Sequence, residues 1–492
     1  MNKRRVLVWA DSPTVATGFA QVSRNILKEL YATGLYEFDM VGINFDGAFD
    51  REKFDTEFPY INKIIPARSP MTGDMFGRDV LLSVLNGSHP VLFPPYDILF
   101  TIQDHFIIGT KAADSNRSLA TAIKEMQKNT LSSKEHKHNH FVWVGYFPVD
   151  GRLKQEWVTE SIALSDFPVA YCDYGLSEMI RFDTKDQDLE KRTNVIYHGT
   201  NVSDFYPLPP EKRRELKKKF LGKLGKEDSY LLVNVNRNQP RKDLFRTLQV
   251  YKAFKEKVPS AFLYLHCNPN DVGGNIFDMA KMIGLELGDF AVPRKFNPAV
   301  GYPLSVVNEV YNMADAVIST SLGEGWGLSI TEAMACKTPI YAPAHTSIKE
   351  IFGLENEGQD LETMRGIPFY AGTTDTEYIC LGRDDNEVPR PITNVESAVK
   401  ALVWGYENPS IVRTITENAY TWAQEHTWAN ENRKWTKVFE EACLVNDQLR
   451  ILNVAPTSGE LKLGRNNLCP ECLQTGISKK IKKCKLHQQK YL

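Results

Sequence analysis

The sequence predicts an α/β protein built from two doubly wound, parallel-sheet domains that face each other across a cleft. Three observations carry this expectation. At 492 residues the chain is longer than one hydrophobic core normally serves. Short apolar runs recur, each passing through a polar or glycine-containing loop into a helical pattern, which is the signature of βα units. The alternation halts at a charged, proline-punctuated stretch and then begins again.

In the first half, "RVLVWA" leads through "DSPTVATG" into the helical "FAQVSRNILKELYAT". "YDILFTI" leads to "QDHF", "HFVWVGYFP" to "VDG", and "PVAYCD" to "YGLSEMIRF". Pro207, Pro209 and Pro210 then punctuate a charged segment that reads as an interdomain linker. The restart consists of strand "SYLLVNVN", loop "RNQPRKD", helix "LFRTLQVYKAFKEK" and strand "AFLYLHC". "DAVISTS" feeds a glycine-rich loop and a short helix. Residues 410–446 read as helix, with Tyr420, Trp422, Trp428, Trp435 and Phe439 spread along them. The expected division is residues 1–206, 207–410, a helical segment 411–446 and a separate tail, 461–492.

A hydrophobic content of 42% supports packed cores and excludes a disordered chain. The net charge of −2 argues against nucleic-acid or membrane binding by the molecule as a whole. The apolar run in "MNKRRVLVWADSP" stops at Asp11, too short for a signal-peptide core or a membrane span. A soluble, cytoplasmic protein is expected. Cys172, Cys267, Cys336, Cys380 and Cys443 are scattered, and most read as small buried hydrophobes.

Two loops carry candidate chemistry. After "YLLVNVN", Arg237, Arg241 and Lys242 fall at the C-terminal edge of a parallel strand, where open α/β sheets bind ligands. Fork-shaped arginine and point-charge lysine together suit a diphosphate. The second loop lies in "SLGEGWGLSITEAMACKTP", Ser321 to Pro339. Its Gly323, Gly325 and Gly327 let a ligand approach the backbone closely, and the following helix start offers free N–H groups. Glu324 is suited to sugar hydroxyls. Glu332 has two readings: an acceptor for ribose hydroxyls, or the closing residue of a capping box with Ser329. His136, His138 and His140 in "EHKHNH" read as a solvated turn rather than a metal site. Cys469, Cys472, Cys484 and His487 form C-x2-C-x11-C-x2-H, a ligand set for a structural Zn²⁺ in a small lysine-rich tail. Such a tail is a candidate nucleic-acid contact.

Taken together, "EGWGLSITEAMA", "RNQPRK", "HGTNVSDFYP" and "TWAQEHTWANENRKWTKVFEE" resemble the retaining GT-B enzymes of glycosyltransferase family 4, over roughly residues 4 to 440. The resemblance implies an acceptor-side domain over residues 1–206 and a nucleotide-sugar domain over 207–410. Helices 411–446 would cross back onto the first domain. It implies a nucleotide-sugar donor, a UDP-sugar foremost, with no catalytic metal. Glu324 would hold donor-sugar hydroxyls, Glu332 the ribose, and Arg237 and Lys242 the departing diphosphate. Gly18, Gly325, Trp326, Gly327 and Leu328 complete the donor-binding set. On the acceptor side this chain departs from the family, with only Gly18 where a Gly-Gly pair is common. Asp150 stands where many members carry a histidine, and His105 is the second candidate there. The acceptor is open, a hydroxylated DNA base, as in phage-type DNA glucosylation, being one candidate. A catalytically inactive GT-B binding protein for sugar nucleotides or nucleic acid is the alternative.

Overall fold

A computed structural model describes residues 3–452, apart from 49, 92, 111–116, 134–135, 184–187, 298–300, 355–360 and 383–386. The zinc-tail residues Cys469, Cys472, Cys484 and His487 lie outside the described residues. Among the described residues, no cluster of three or more His, Cys, Asp or Glu side chains is placed to hold a metal. No described helix is long and apolar enough to cross a membrane.

Two parallel sheets form the frame. The first contains β1 (Arg4–Asp11), β2 (Tyr36–Ile43), β3 (Ile61–Pro66), β4 (Ile98–Ile102), β5 (Val142–Phe147), β6 (Phe167–Ala170) and β7 (Asn194–Val195). Its strand order is β3-β2-β1-β4-β5-β6-β7. Helices cover both faces, so the strands are continuous apolar runs rather than alternating ones. In β1, Val6, Leu7, Val8, Trp9 and Ala10 are all fully buried.

The second sheet begins with β8 (Tyr230–Val235) and β9 (Ala261–His266). A small hairpin follows, β10 (Asn270–Asp271) with β11 (Gly274–Asn275). The sheet resumes with β12 (Phe290–Ala291), β13 (Ala316–Ile318), β14 (Ile340–Pro343) and β15 (Ile367–Phe369), in the order β12-β9-β8-β13-β14-β15. A second hairpin, β16 (Tyr378–Cys380) with β17 (Pro389–Pro391), stands after it. Strand order reverses between β1 and β4 in one sheet and between β8 and β13 in the other. Loops leaving the C-terminal ends of strands at such a reversal splay apart and leave a crevice.

The structure refines three sequence readings. The proline-rich segment between the two sheets is largely helical. Pro210 opens a helix, Pro210–Gly222, where a missing N–H costs nothing. Arg213 bolts this helix to the second unit through the carbonyls of Asn312 (2.9 Å), Cys336 (3.2 Å) and Lys337 (3.1 Å). His140 is not in a solvated turn: it is buried, with Nδ1 3.1 Å from the Thr130 hydroxyl, while His136 and His138 are exposed. Of the scattered cysteines, Cys380 is exposed and the other four are buried.

The C-terminal helices Pro409–Glu425 and Trp428–Leu452 return the chain to the first sheet. Thr200 bridges Thr427 where the chain crosses, and at Gly199 a Cβ would lie 2.2 Å from the Trp428 backbone. Trp435 and Phe439 then pack edge-on against Phe100 of β4, each with ring centroids 5.2 Å apart. Phe439 also meets Tyr36 of β2, and Trp435 meets Tyr146 of β5. Arg4 pairs with Asp447 (Nη1–Oδ1 2.9 Å), and Arg450 with Asp97 (2.7 Å).

Candidate active site at the cleft

The loops after β8 and β13 meet at the reversal of the second sheet and are lashed together. The Leu322 amide donates to the Arg241 carbonyl (2.8 Å), and the Thr320 hydroxyl donates to the Asp243 carbonyl (2.9 Å). Asp243 caps the helix Leu244–Lys257 through the Arg246 amide (3.2 Å). Lys242, one residue earlier, is thereby aimed at Glu324. Their charged groups are in direct hydrogen-bonded contact, and Arg241 Nη1 lies 3.3 Å from the other Glu324 oxygen. Backbone bonds fix the Glu324 loop from behind. The Glu324 amide donates to Thr346 Oγ1 (3.1 Å), and Ser347 Oγ donates to the carbonyls of Glu324 (2.9 Å) and Trp326 (2.8 Å).

Glu324 is only 5% exposed. Burial opposes its charge, but Lys242 and Arg241 outweigh that cost and hold the carboxyl below its ordinary range. The site therefore presents an ionised carboxylate flanked by two cations.

From the first unit, the turn after β5 brings Asp150 to the same place. Its carboxylate lies 3.1 Å from Arg241 Nε and 3.0 Å from Arg390 Nη2. Burial would raise this carboxyl, yet the two guanidiniums keep it low, so Asp150 is ionised and a weak proton acceptor. His105 sits behind this turn, fully buried, with Nδ1 3.2 Å from the Pro148 carbonyl. Burial pulls its imidazole down to about 4, against the opposing pull of Asp150.

The glycine loop ends at Gly327, whose φ of 102° few residues with a Cβ adopt. That conformation starts the helix Leu328–Ala335 at Leu328, so Ser329 lies inside the helix and the capping box does not form. The Glu332 carboxyl instead accepts from the Tyr311 hydroxyl (2.8 Å) and, across the cleft, from Gln21 Nε2 (3.3 Å). Burial raises it to about 7, although both hydrogen bonds oppose the rise. Gly18 begins the helix Gly18–Ala32 opposite, where a Cβ would lie 3.6 Å from Leu328 Cδ1. Two helix N-termini thus converge on the cleft between Gly18 and Leu328. Gly325 packs beside Pro148, and its carbonyl accepts from Cys172 Sγ (3.4 Å).

Two expected contacts fall elsewhere. Arg237 turns away to Asp271 (2.9 and 3.2 Å), with 59% of its side chain exposed. Trp326 is buried, with ring centroids 4.8 Å from Tyr197 and 6.2 Å from Trp422. Arg241, rather than Arg237, lies against Glu324 and Asp150, and Arg390 and His345 join the cluster. His345 follows β14 and is pulled down to about 4 by burial, with Glu324 opposing. Arg241 was visible in the basic loop itself, whereas Arg390 lies in "VPRPIT", which carries no signal.

With this geometry in place, comparison with known proteins is decisive for the fold. Sucrose-phosphate synthase from Thermosynechococcus elongatus superimposes with a TM-score of 0.63 at 15% identity, over 90% of this chain and all of that one. Anabaena HepE in complex with UDP-glucose gives 0.59 at 14% identity, over 89% of this chain and 99% of that one. The molecule has the GT-B-like glycosyltransferase fold. Within that fold, residues 301–359 match the family of glycosyl transferases group 1, the segment holding Glu324 and Glu332. A trehalose synthase from Pyrococcus horikoshii is 27% identical over 124 residues, 24% of this chain. That match spans 29% of the relative's own length.

Proposed function

We propose that this chain is a retaining glycosyltransferase of the family 4 type, moving a sugar from a nucleotide-sugar donor to a hydroxyl acceptor. The buried Lys242–Glu324–Arg241 array at the reversal of the second sheet carries this reading. Negative charge grows on the leaving diphosphate as the glycosidic bond breaks, and preorganised cations in a water-poor site stabilise it. Arg241 and Lys242 are those cations. Glu324, ionised beside them, takes the donor-sugar hydroxyls, and Glu332 takes the ribose. Glycine-lined backbone from Gly325 to Gly327 and the helix starts at Gly18 and Leu328 receive the rest of the donor.

Asp150 is held by two arginines and is no base for the incoming hydroxyl. The acceptor proton passes instead to the leaving phosphate on the same face, which preserves the anomeric configuration without an enzyme nucleophile. A UDP-sugar is the first donor to test, because the similar HepE structure holds UDP-glucose. A hydroxylated DNA base remains one candidate acceptor.

The test is a thermal-shift and hydrolysis screen of the full chain against UDP-, GDP- and ADP-glucose, with NMR assignment of the product anomer. At least one donor should stabilise the protein and be slowly hydrolysed. Stabilisation with no turnover, even with added acceptors, would favour the inactive binding protein. An inverted anomer would remove the retaining mechanism.

A further inference from the structure

The hairpin β16–β17 follows the last strand of the second sheet and sends one side chain back across the cleft. Arg390, opposite Ile379 in this hairpin, is completely buried. Its Nη1 donates to the Asp150 carbonyl (2.8 Å) and its Nη2 to Asp150 Oδ1 (3.0 Å). Space for the guanidinium is made by two glycines, one from each unit. A Cβ on Gly151 would lie 3.0 Å from Nη1, and a Cβ on Gly323 would lie 2.9 Å from it and 1.9 Å from the Asp150 carbonyl oxygen. Any side chain at either position would push the arginine or the Asp150 turn away.

The contacts form an alternating chain: Arg390 to Asp150, Asp150 to Arg241, Arg241 to Glu324, Glu324 to Lys242. Among the described residues the printed contacts alternate three cations with two carboxylates. Each carboxylate has one oxygen toward each neighbouring cation, so moving one member displaces the next. Fully buried charge is costly unless its partners are fixed. A guanidinium held at both the carbonyl and the carboxylate of one residue fixes that residue in rotation as well as position.

Resting on the glycosyltransferase reading above, we infer that Arg390 is a positioning residue for the transfer reaction: by clamping Asp150 across the cleft it sets Arg241 at the leaving diphosphate. The hairpin is then part of the machinery, and the site is complete only when the two units are closed on each other. Asp150 acts as the relay between two arginines.

Full-length Arg390→Gln, Arg390→Lys, Asp150→Asn and the double variant Arg390→Gln/Asp150→Asn test this, with kcat and KM measured for UDP-, GDP- and ADP-glucose and folding checked by thermal unfolding. Arg390→Gln should lower kcat ~100-fold, the scale set by losing one preorganised charge contact, with KM changed by only a few-fold. Asp150→Asn should fall similarly, and the double variant should be no worse than the poorer single one, because residues acting as a unit are not additive. Arg390→Lys, which restores charge but not the fork, should recover part of the rate. Wild-type turnover with Arg390→Gln unimpaired, altered only in melting temperature, or additive with Asp150→Asn would overturn this inference alone. A well-folded wild type that processes no nucleotide sugar would overturn the glycosyltransferase reading and this inference with it.

Discussion

The two sheets reverse strand order in the same way, yet the crevices above them are charged differently. At the second reversal, two loops from adjacent strands bring Arg241 and Lys242 around Glu324. The first reversal offers the start of one helix at Gly18 and the low-pKa His105 after β4, and the nearby β5 turn offers Asp150, with no lysine or arginine among these candidates. Shared topology makes a crevice, and the residues of its loops decide what enters. The cation cluster belongs to the second unit; the first contributes the Gly18 helix start opposite it and the Asp150 carboxylate that contacts it.

The strongest test of this asymmetry is Glu324→Ala. Turnover should fall ~100- to 1,000-fold, with the protein still folded, since Lys242 and Arg241 lose the group that aims them. Equal loss from Gly18→Ala, read by the same donor-hydrolysis assay, would erase the distinction between the two crevices. Next is Lys242→Ala. Breaking a buried pair leaves Glu324 with only Arg241, so unfolding free energy should drop by about 3 kcal/mol in denaturant titrations. Nucleoside-diphosphate affinity should drop in parallel, by calorimetry.

A smaller effect concerns pH. Glu332 titrates near 7 when folded, above the ordinary carboxylate value of 4.5, so the folded state keeps its proton longer than the unfolded one. Stability from this group is present in full below about 4.5, is lost as pH rises toward 7 and then levels off. Melting temperature should carry this downward slope between those limits, and Glu332→Gln should flatten it. An unchanged slope would mean that Glu332 ionises normally in the cleft. The smallest effect is expected at Arg237. Its exposed pair with Asp271 is worth ~0–1 kcal/mol, so Arg237→Ala should leave kcat/KM within a few-fold. A loss as large as that of Lys242→Ala would return Arg237 to the diphosphate site.

Much of the frame could be read from the chain because buried parallel strands are continuous apolar runs and each leads into a helix. Lys242 and Glu324 were legible for the same reason: each lies in a short loop after a recognisable strand, and strand ends gather at one edge. Arg390 was not, since its partner Asp150 is 240 residues away and only tertiary closure joins them. Spacing alone left two points open. "SITE" fits a capping box, but Gly327 starts the helix at Leu328, before the Ser329 cap could serve, and frees Glu332 for the cleft. Arg237 and Arg241 are equally basic in the sequence. In the folded chain the Arg241 carbonyl is tied to Leu322 and its side chain reaches Glu324 and Asp150, whereas Arg237 pairs with Asp271.

The returning helix Trp428–Leu452 also has a consequence in time. Trp435 and Phe439 fill a socket made by Tyr36, Phe100 and Tyr146, residues that leave the ribosome long before them. At 5–20 residues per second, the interval between β7 and this helix is on the order of 10–50 s of synthesis. Throughout it the nascent first sheet exposes an unfilled aromatic socket, the kind of surface on which chaperones act and at which aggregation starts. The N-terminal half of this protein is made first and finished last.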